Sequence, residues 1–221
     1  MAKAKAKANK KETTLNTYIL LDRSGSMSTR WSETLSSINE YVKALDKALS
    51  NKITVATFDS HNGFKFEVIR DNINAKKFKP VTEIDATPRG WTPLFDAIGS
   101  IVSRAEKDNN EKTILVVMTD GAENASSEVT KDQAKSALDR CRSKKWEVIF
   151  LGADFDAMQQ GVSVGNSMDK TINMTAGNYG NTMRSMSAKA CLYASGQADI
   201  SFSAQDRDIA IGKKKAGDFQ A

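Results

Sequence analysis

The hexapeptide Asp22-Arg23-Ser24-Gly25-Ser26-Met27 sets a carboxylate and two hydroxyls at alternate positions, directly after the apolar run Tyr18-Ile19-Leu20-Leu21. Alternate side chains share a side where the chain stays extended, so Asp22, Ser24 and Ser26 face one way and Arg23 the other. On that reading Arg23 is a solvated or rim residue. The donors are all hard oxygens, with no sulfur and no imidazole. Such a set suits Mg²⁺ or Mn²⁺, less well Ca²⁺, and not zinc.

Two further segments supply matching oxygens. Thr92 stands before Pro93 at the mouth of an amphipathic run, and Asp120 follows the apolar run Thr113-Ile114-Leu115-Val116-Val117-Met118. Each residue alone has an ordinary structural role. Asp22 can end a strand, Ser24 and Ser26 are common turn formers, Thr92 is a good helix N-cap, and Thr119-Asp120-Gly121 can be a tight turn. Together they converge only if the strands ending at Asp22 and Thr119 lie side by side where the strand order of a parallel sheet reverses, because ligands bind beyond the carboxyl ends of strands at that point.

The remaining pattern supports such a sheet. Residues 16–22, 53–58, 113–119, 146–151 and 170–175 read as strands, the first three as short, nearly continuous apolar runs. Phe64, Phe66 and Val68 alternate with polar residues after the turn cluster Asp59-Ser60-His61-Asn62-Gly63, which predicts an antiparallel hairpin with His61 in its turn. Leu35, Ile38, Val42, Leu45 and Leu49 share one helical face, with Ser32 as its expected cap. Leu94, Ile98, Ile101, Val102 and Ala105 share another, opened by Thr92 and Pro93. Helices are also expected near 129–141, 156–160 and 181–194, and residues 71–90 read as irregular. Alternating strands and helices, with right-handed crossovers, give an α/β fold. It is a Rossmann-like doubly wound, mainly parallel sheet with one antiparallel edge strand and helices on both faces.

The 221 residues carry a net charge of +5, but residues 1–12 hold +4 and residues 213–221 hold +2, leaving −1 for the body. The expected organisation is a basic disordered tail over 1–14, one domain over 15–211 and a basic C-terminal tail over 212–221. The Lys-rich tails allow weak nucleic-acid contact, although a solubilising role is the plainer reading. No apolar stretch approaches a membrane span, and the N-terminus has charge with no apolar core behind it, so a cytoplasmic location is expected. Two cysteines, Cys141 and Cys191, do not make a disulfide framework and read as core fillers in a reducing compartment.

The motifs at 22–27, Gly90-Trp91-Thr92-Pro93-Leu94 and Met118-Thr119-Asp120-Gly121 resemble those of the von Willebrand factor A domain. The run 17–210 is similar, more narrowly, to small single-domain intracellular members from bacteria and their phages. The segments Ala56–Ser60, Thr87–Gly90, Asp120–Ser126, Phe150–Ala153 and Ile200–Ser203 carry that likeness. The resemblance implies a metal-ion-dependent adhesion site. Ser24 and Ser26 would bind the ion directly, and Asp22, Thr92 and Asp120 directly or through water. One coordination position would be left for an acidic group of a partner.

The implied function is therefore a non-catalytic module that takes a protein ligand bearing an exposed Asp or Glu. Trp91, Asn178 and Tyr179 are rim candidates for partner contact, and Asp154 with Asp156 is a weaker candidate for a second ion site. A metal-dependent phosphoester hydrolase is the alternative in a different class, and a virion or assembly component is another. Against the hydrolase, only one carboxylate flanks the end of the first strand, Ser24 has no evident base, and no phosphate-cradling loop is present.

Overall fold

The computed structural model describes residues 14–45, 49–153 and 155–214, with the side chains of residues 155–157 outside that description. A six-stranded sheet runs in the order β3-β2-β1-β4-β5-β6. Its strands are β1 (Thr14–Asp22), β2 (Ser50–Asp59), β3 (Lys65–Asn74), β4 (Lys112–Thr119), β5 (Glu147–Gly152) and β6 (Thr171–Asn173). All neighbours are parallel except β2 and β3, which form the antiparallel hairpin at one edge.

The helices are α1 (Trp31–Ala44), α2 (Leu94–Asp108), α3 (Lys131–Ser143), α4 (Phe155–Ser163), α5 (Tyr179–Ala194) and α6 (Ala204–Ala210). Two hydrophobic layers sandwich the sheet. On one face Leu15, Ile19 and Leu21 of β1 and Ile114, Val116 and Met118 of β4 meet α1 and α5. On the other face Tyr18 and Leu20 of β1 and Leu115 and Val117 of β4 meet α2 and α3. The continuous apolar runs of β1 and β4 are thus the mark of strands covered on both faces. Cys141 fills the second layer, and burial pushes its thiol up to about 11.

The order of strands makes β1 and β4 hydrogen-bonded neighbours, with Leu21 opposite Met118. The chain winds outward from β1 in one direction through β2 and in the other through β4. The carboxyl ends of β1 and β4 therefore flank the reversal, as the sequence required.

Some local expectations are corrected. Ser32 does not cap α1. A 3₁₀ turn over Gly25–Arg30 runs straight into the helix, which begins at Trp31 with no side-chain cap. Thr92 does not cap α2 either: the N-cap position falls on Pro93, with no side-chain cap bond. A loop distant in sequence supplies what a local cap would have supplied. The amide of Phe95 donates to Glu123 Oε2 and Ser126 Oγ, each at 3.0 Å, and the amide of Asp96 donates to Ser126 Oγ at 3.2 Å. Residues 71–74 continue β3 rather than being irregular, and α6 was not foreseen. The tail residues 1–13 and 215–221 and the second-site candidate Asp154 lie outside the described residues, as does the side chain of Asp156.

Asp96 locks this arrangement from the other side. Its buried carboxylate accepts the amides of Ser127, Glu128 and Val129 at 2.6–3.0 Å. Removing it takes the acceptor from three amide donors at once. Asp96→Ala is expected to cost about 3 kcal/mol in urea denaturation. A loss under about 1 kcal/mol would show that the loop is held by other means.

Candidate metal centre

Asp22 ends β1 with no exposed surface. Its Oδ1 accepts the amide of Ser24 at 2.7 Å, and its Oδ2 accepts the hydroxyl of Thr119, the last residue of β4, at 2.7 Å. These two bonds fix the carboxylate at the seam between β1 and β4. Burial pushes the Asp22 carboxyl up to about 6. The bonds from Thr119 and Ser24 oppose that rise and the charge of Asp120 adds to it.

The hydroxyls converge on the same seam. Ser24 Oγ and Ser26 Oγ lie 3.0 Å apart, and Ser26 donates to Asp120 Oδ1 at 2.7 Å. A Cβ placed on Gly121 would stand 3.5 Å from Thr92 Oγ1 and 3.8 Å from Ser26 Oγ, so the Thr92 hydroxyl faces this cluster across Gly121. All five sequence candidates are thus brought to one edge. Ser24 and Thr92 are buried at 2% exposure and Asp120 at 8%, while Ser26 opens to solvent. Ser24, Ser26 and Thr92 line a cleft of about 250 Å³ with Gly25, Gly90, Trp91 and Asn124, and Asp120 lies beside it through its bond from Ser26. A larger, open cleft of about 690 Å³ lies between Ser28–Ser36 and the 83–88 segment, with Glu33 and Glu83 on its walls and none of the five candidates.

Thr92 reaches this position because its whole segment is latched. The amide of Arg89 donates to the carbonyl of Arg23 at 2.7 Å, and the carbonyl of Gly90 accepts the amide of Gly25 at 3.0 Å. The carbonyl of Trp91 accepts the amide of Ser60, and that of Thr92 accepts the amide of Asn124, each at 3.2 Å. The Asn124 side chain returns the contact, its Oδ1 accepting the amide of Thr92 at 2.9 Å. Freed from capping α2, the Thr92 hydroxyl is available to the cleft.

Under the latch lies a group of charges. Arg23 is not solvated as its alternation suggested. It does point away from Asp22 and Ser24, but it is 3% exposed and pairs with buried Asp59 at the end of β2 and with Glu67 of β3. Arg89 completes the group from above, 3.3 Å from Asp59 and 3.4 Å from Glu67. The Arg23 guanidinium beside Glu67 holds that carboxyl below its ordinary range. The signal for this cluster was present in the sequence: Asp22 and Asp59 end adjacent parallel strands, so the residue after Asp22 falls beside Asp59.

The rim candidates divide. Trp91 is 67% exposed beside the cleft. Tyr179 is buried in the core, its amide donating to Glu33, so it is corrected from rim to core. Asn178 is half-buried, its side chain donating to Thr175 and to the carbonyl of Ala176. His61 is exposed in the hairpin turn, its amide donating to Asp59. Sequence reasoning missed Thr119, Asn124 and Arg30, whose guanidinium lies 3.2 Å from Asp120 Oδ2.

Among the described residues no group of three or more His, Cys, Asp or Glu side chains converges. The strand seam instead sets two carboxylates, Asp22 and Asp120, against the three hydroxyls that line the cleft, and that chemistry fits a hard, six-coordinate divalent cation that keeps some of its water.

Residues 16–189 match the von Willebrand factor type A domain, and the chain belongs to that family. Among solved structures it is similar to the von Willebrand factor domain of the type V pilus tip protein Mfa5 from Porphyromonas gingivalis. That likeness has 10% identity, covers 87% of this chain and 99% of that one, and has a TM-score of 0.66. It is similar to proximal thread matrix protein 1 of the mussel byssus, solved with a zinc-occupied MIDAS motif, at 14% identity over 81% of this chain and 48% of that one, TM-score 0.57. It is also similar to the conserved hypothetical protein BatB from Bacteroides thetaiotaomicron, at 16% identity over 82% and 99%, TM-score 0.52. At these identities the likeness is one of fold. The chain spans about half the length of several solved chains it matches, the mussel protein among them. No curated protein matches it.

The latch depends on one glycine. Gly90 has φ +66°, and a Cβ there would lie 2.7 Å from the amide nitrogen of His61 and 3.0 Å from the carbonyl carbon of Ser60. Both neighbours are backbone and cannot swing aside. Gly90→Ala is expected to destabilise the domain by about 2 kcal/mol or more, measured by thermal or urea unfolding. An unchanged midpoint would mean that the latch is loose.

Proposed function

We propose that this chain is a metal-dependent protein-interaction module in which Asp22, Ser24, Ser26, Thr92 and Asp120 hold Mg²⁺ or Mn²⁺ for an acidic side chain of a partner. The observation that carries this reading is the meeting of Ser24, Ser26, Thr92 and Asp120 at one strand seam, with Asp22 anchored beneath them by Thr119. A divalent cation bound there supplies an electrophile that attracts an external carboxylate. Three of the five donors are neutral hydroxyls, so they satisfy the cation's coordination without cancelling its charge.

The chain's own residues prepare for that contact. Asp22 carries the cost of burial in advance, and a positive charge beside it would favour its ionised form. Asn124 and the backbone latch hold Thr92 in place before any ligand arrives, which lowers the ordering cost of binding. Trp91 stands exposed on the wall of the cleft, where a large, rigid aromatic side chain can add contact area beside a charged anchor. Mussel proximal thread matrix protein 1, solved with its MIDAS motif occupied by zinc, supports a metal-binding role for this fold.

A non-catalytic role is part of the proposal. Ser24 Oγ lies 3.0 Å from Ser26 Oγ with no imidazole beside it, and His61 stands in the hairpin turn with its amide donating to Asp59. A cytoplasmic setting is also proposed, from the sparse cysteines. No helix among the described residues is long and apolar enough to cross a membrane.

Mg²⁺ or Mn²⁺ should raise the melting temperature of the chain, and Ser24→Ala combined with Ser26→Ala should remove that rise. Binding partners recovered on the immobilised wild type should be lost on adding chelator and on Asp22→Ala. Equal metal stabilisation of the double serine variant would overturn the ligand assignment, and chelator-insensitive capture would overturn the role of the ion.

A further inference from the structure

We propose that Arg30 sets the charge of the cleft, weakening its hold on a divalent cation alone and making an external carboxylate part of the cation's binding. This rests on the metal-centre reading above. The observation is a cation of the chain's own within the ligand set. Arg30 Nη1 lies 3.2 Å from Asp120 Oδ2, while Ser26 occupies the other oxygen of the same carboxylate at 2.7 Å. The Asp120 side chain is 2% exposed and that of Arg30 26%, so the pair is only partly screened by water. A guanidinium stays charged at every accessible pH.

The charges can be summed. Asp22 and Asp120 contribute −2, and Arg30 returns +1. The adjoining cluster of Arg23, Arg89, Asp59 and Glu67 is neutral as a whole. The two ligand carboxylates together with Arg30 therefore sum to −1 rather than −2. Two bare carboxylates would offset the formal charge of a divalent cation and leave an external acid only an open coordination position. With Arg30 in place the ion and its surroundings keep +1, in a site whose other donors are neutral hydroxyls. An external carboxylate removes that excess. Ion and acid then strengthen each other's binding, and by linkage they do so reciprocally.

The position of Arg30 suits this role. It is the last residue of the 3₁₀ turn that carries Ser26, and its carbonyl accepts the Thr34 hydroxyl at 2.9 Å. That backbone anchor does not involve the guanidinium, so the side chain can be exchanged without loss of the turn.

The test is Mn²⁺ binding to the full chain, followed by the electron paramagnetic resonance signal of free Mn²⁺ in carboxylate-free buffer. Wild type, Arg30→Gln, Arg30→Met and Arg30→Lys are compared, with melting curves for each. Removing a unit charge at this range from a divalent ion should tighten Mn²⁺ binding about tenfold in Arg30→Gln and Arg30→Met. Arg30→Lys should stay within about threefold of wild type, because it keeps the charge. Added acetate should tighten Mn²⁺ binding to wild type more than to Arg30→Gln. Equal or weaker Mn²⁺ binding in folded Arg30→Gln and Arg30→Met would overturn the role of Arg30 and leave the metal centre standing. Absence of Mn²⁺ binding in all four proteins would overturn the metal centre and this inference with it.

Discussion

Four consecutive residues, Arg89 to Thr92, are each bonded through the backbone to a different partner residue, and the cleft depends on that latch. Arg23 and Gly25 hold its start, Ser60 its middle and Asn124 its end. Each bond is worth only about 1 kcal/mol on its own. Acting together they fix the end of a long loop whose earlier part is held by Trp31 and Asn39 of α1 and by Arg70 of β3. Their consequence is positional: the Thr92 hydroxyl, far in sequence from Ser24 and Ser26, faces them across Gly121. The glycine at position 90 is what lets the latch close against the hairpin turn.

Beneath the latch the protein buries charge on purpose. Asp59 and Arg23 are almost wholly enclosed, and removing one partner of such a pair leaves the other uncompensated, at a cost of roughly 3–5 kcal/mol. The pair ties the end of β2 to the loop after β1, and Arg89 ties both to the latch. Asp22 is the contrasting case. It is equally buried, yet it has hydroxyl and amide donors in place of a cation, and its carboxyl rises to about 6. One buried acid is satisfied within the fold and serves structure. The other is left short of positive charge at the mouth of the seam, where a cation would complete it.

The architecture was legible because it follows from pattern. Continuous apolar runs at 18–21 and 113–118 announce strands covered on both faces, and their alternation with amphipathic helices allows little besides a doubly wound sheet. The five candidate ligands stood out because Asp22 and Asp120 end or follow apolar runs, Ser24 and Ser26 alternate after the first, and Thr92 precedes a Pro and an amphipathic run; the structure brings them to one strand seam. What was hidden depends on contacts between distant segments. Thr92 looks like a helix cap, and only the loop at 123–129 relieves it of that duty. Arg23 looks like a solvent-facing residue until β2 places Asp59 beside it. Tyr179 looks like a loop aromatic until α5 packs against α1. Arg30 carries no motif, and its value lies in its distance from Asp120.

The central claim is that the seam between β1 and β4 holds a divalent cation on serine and threonine hydroxyls. An anomalous difference map from crystals of the full chain grown with Mn²⁺ tests it directly. The account predicts the strongest peak in the cleft bounded by Ser24, Ser26 and Thr92, with Asp120 beside it. A map with no peak there, or with Mn²⁺ held only at surface carboxylates elsewhere, would contradict it.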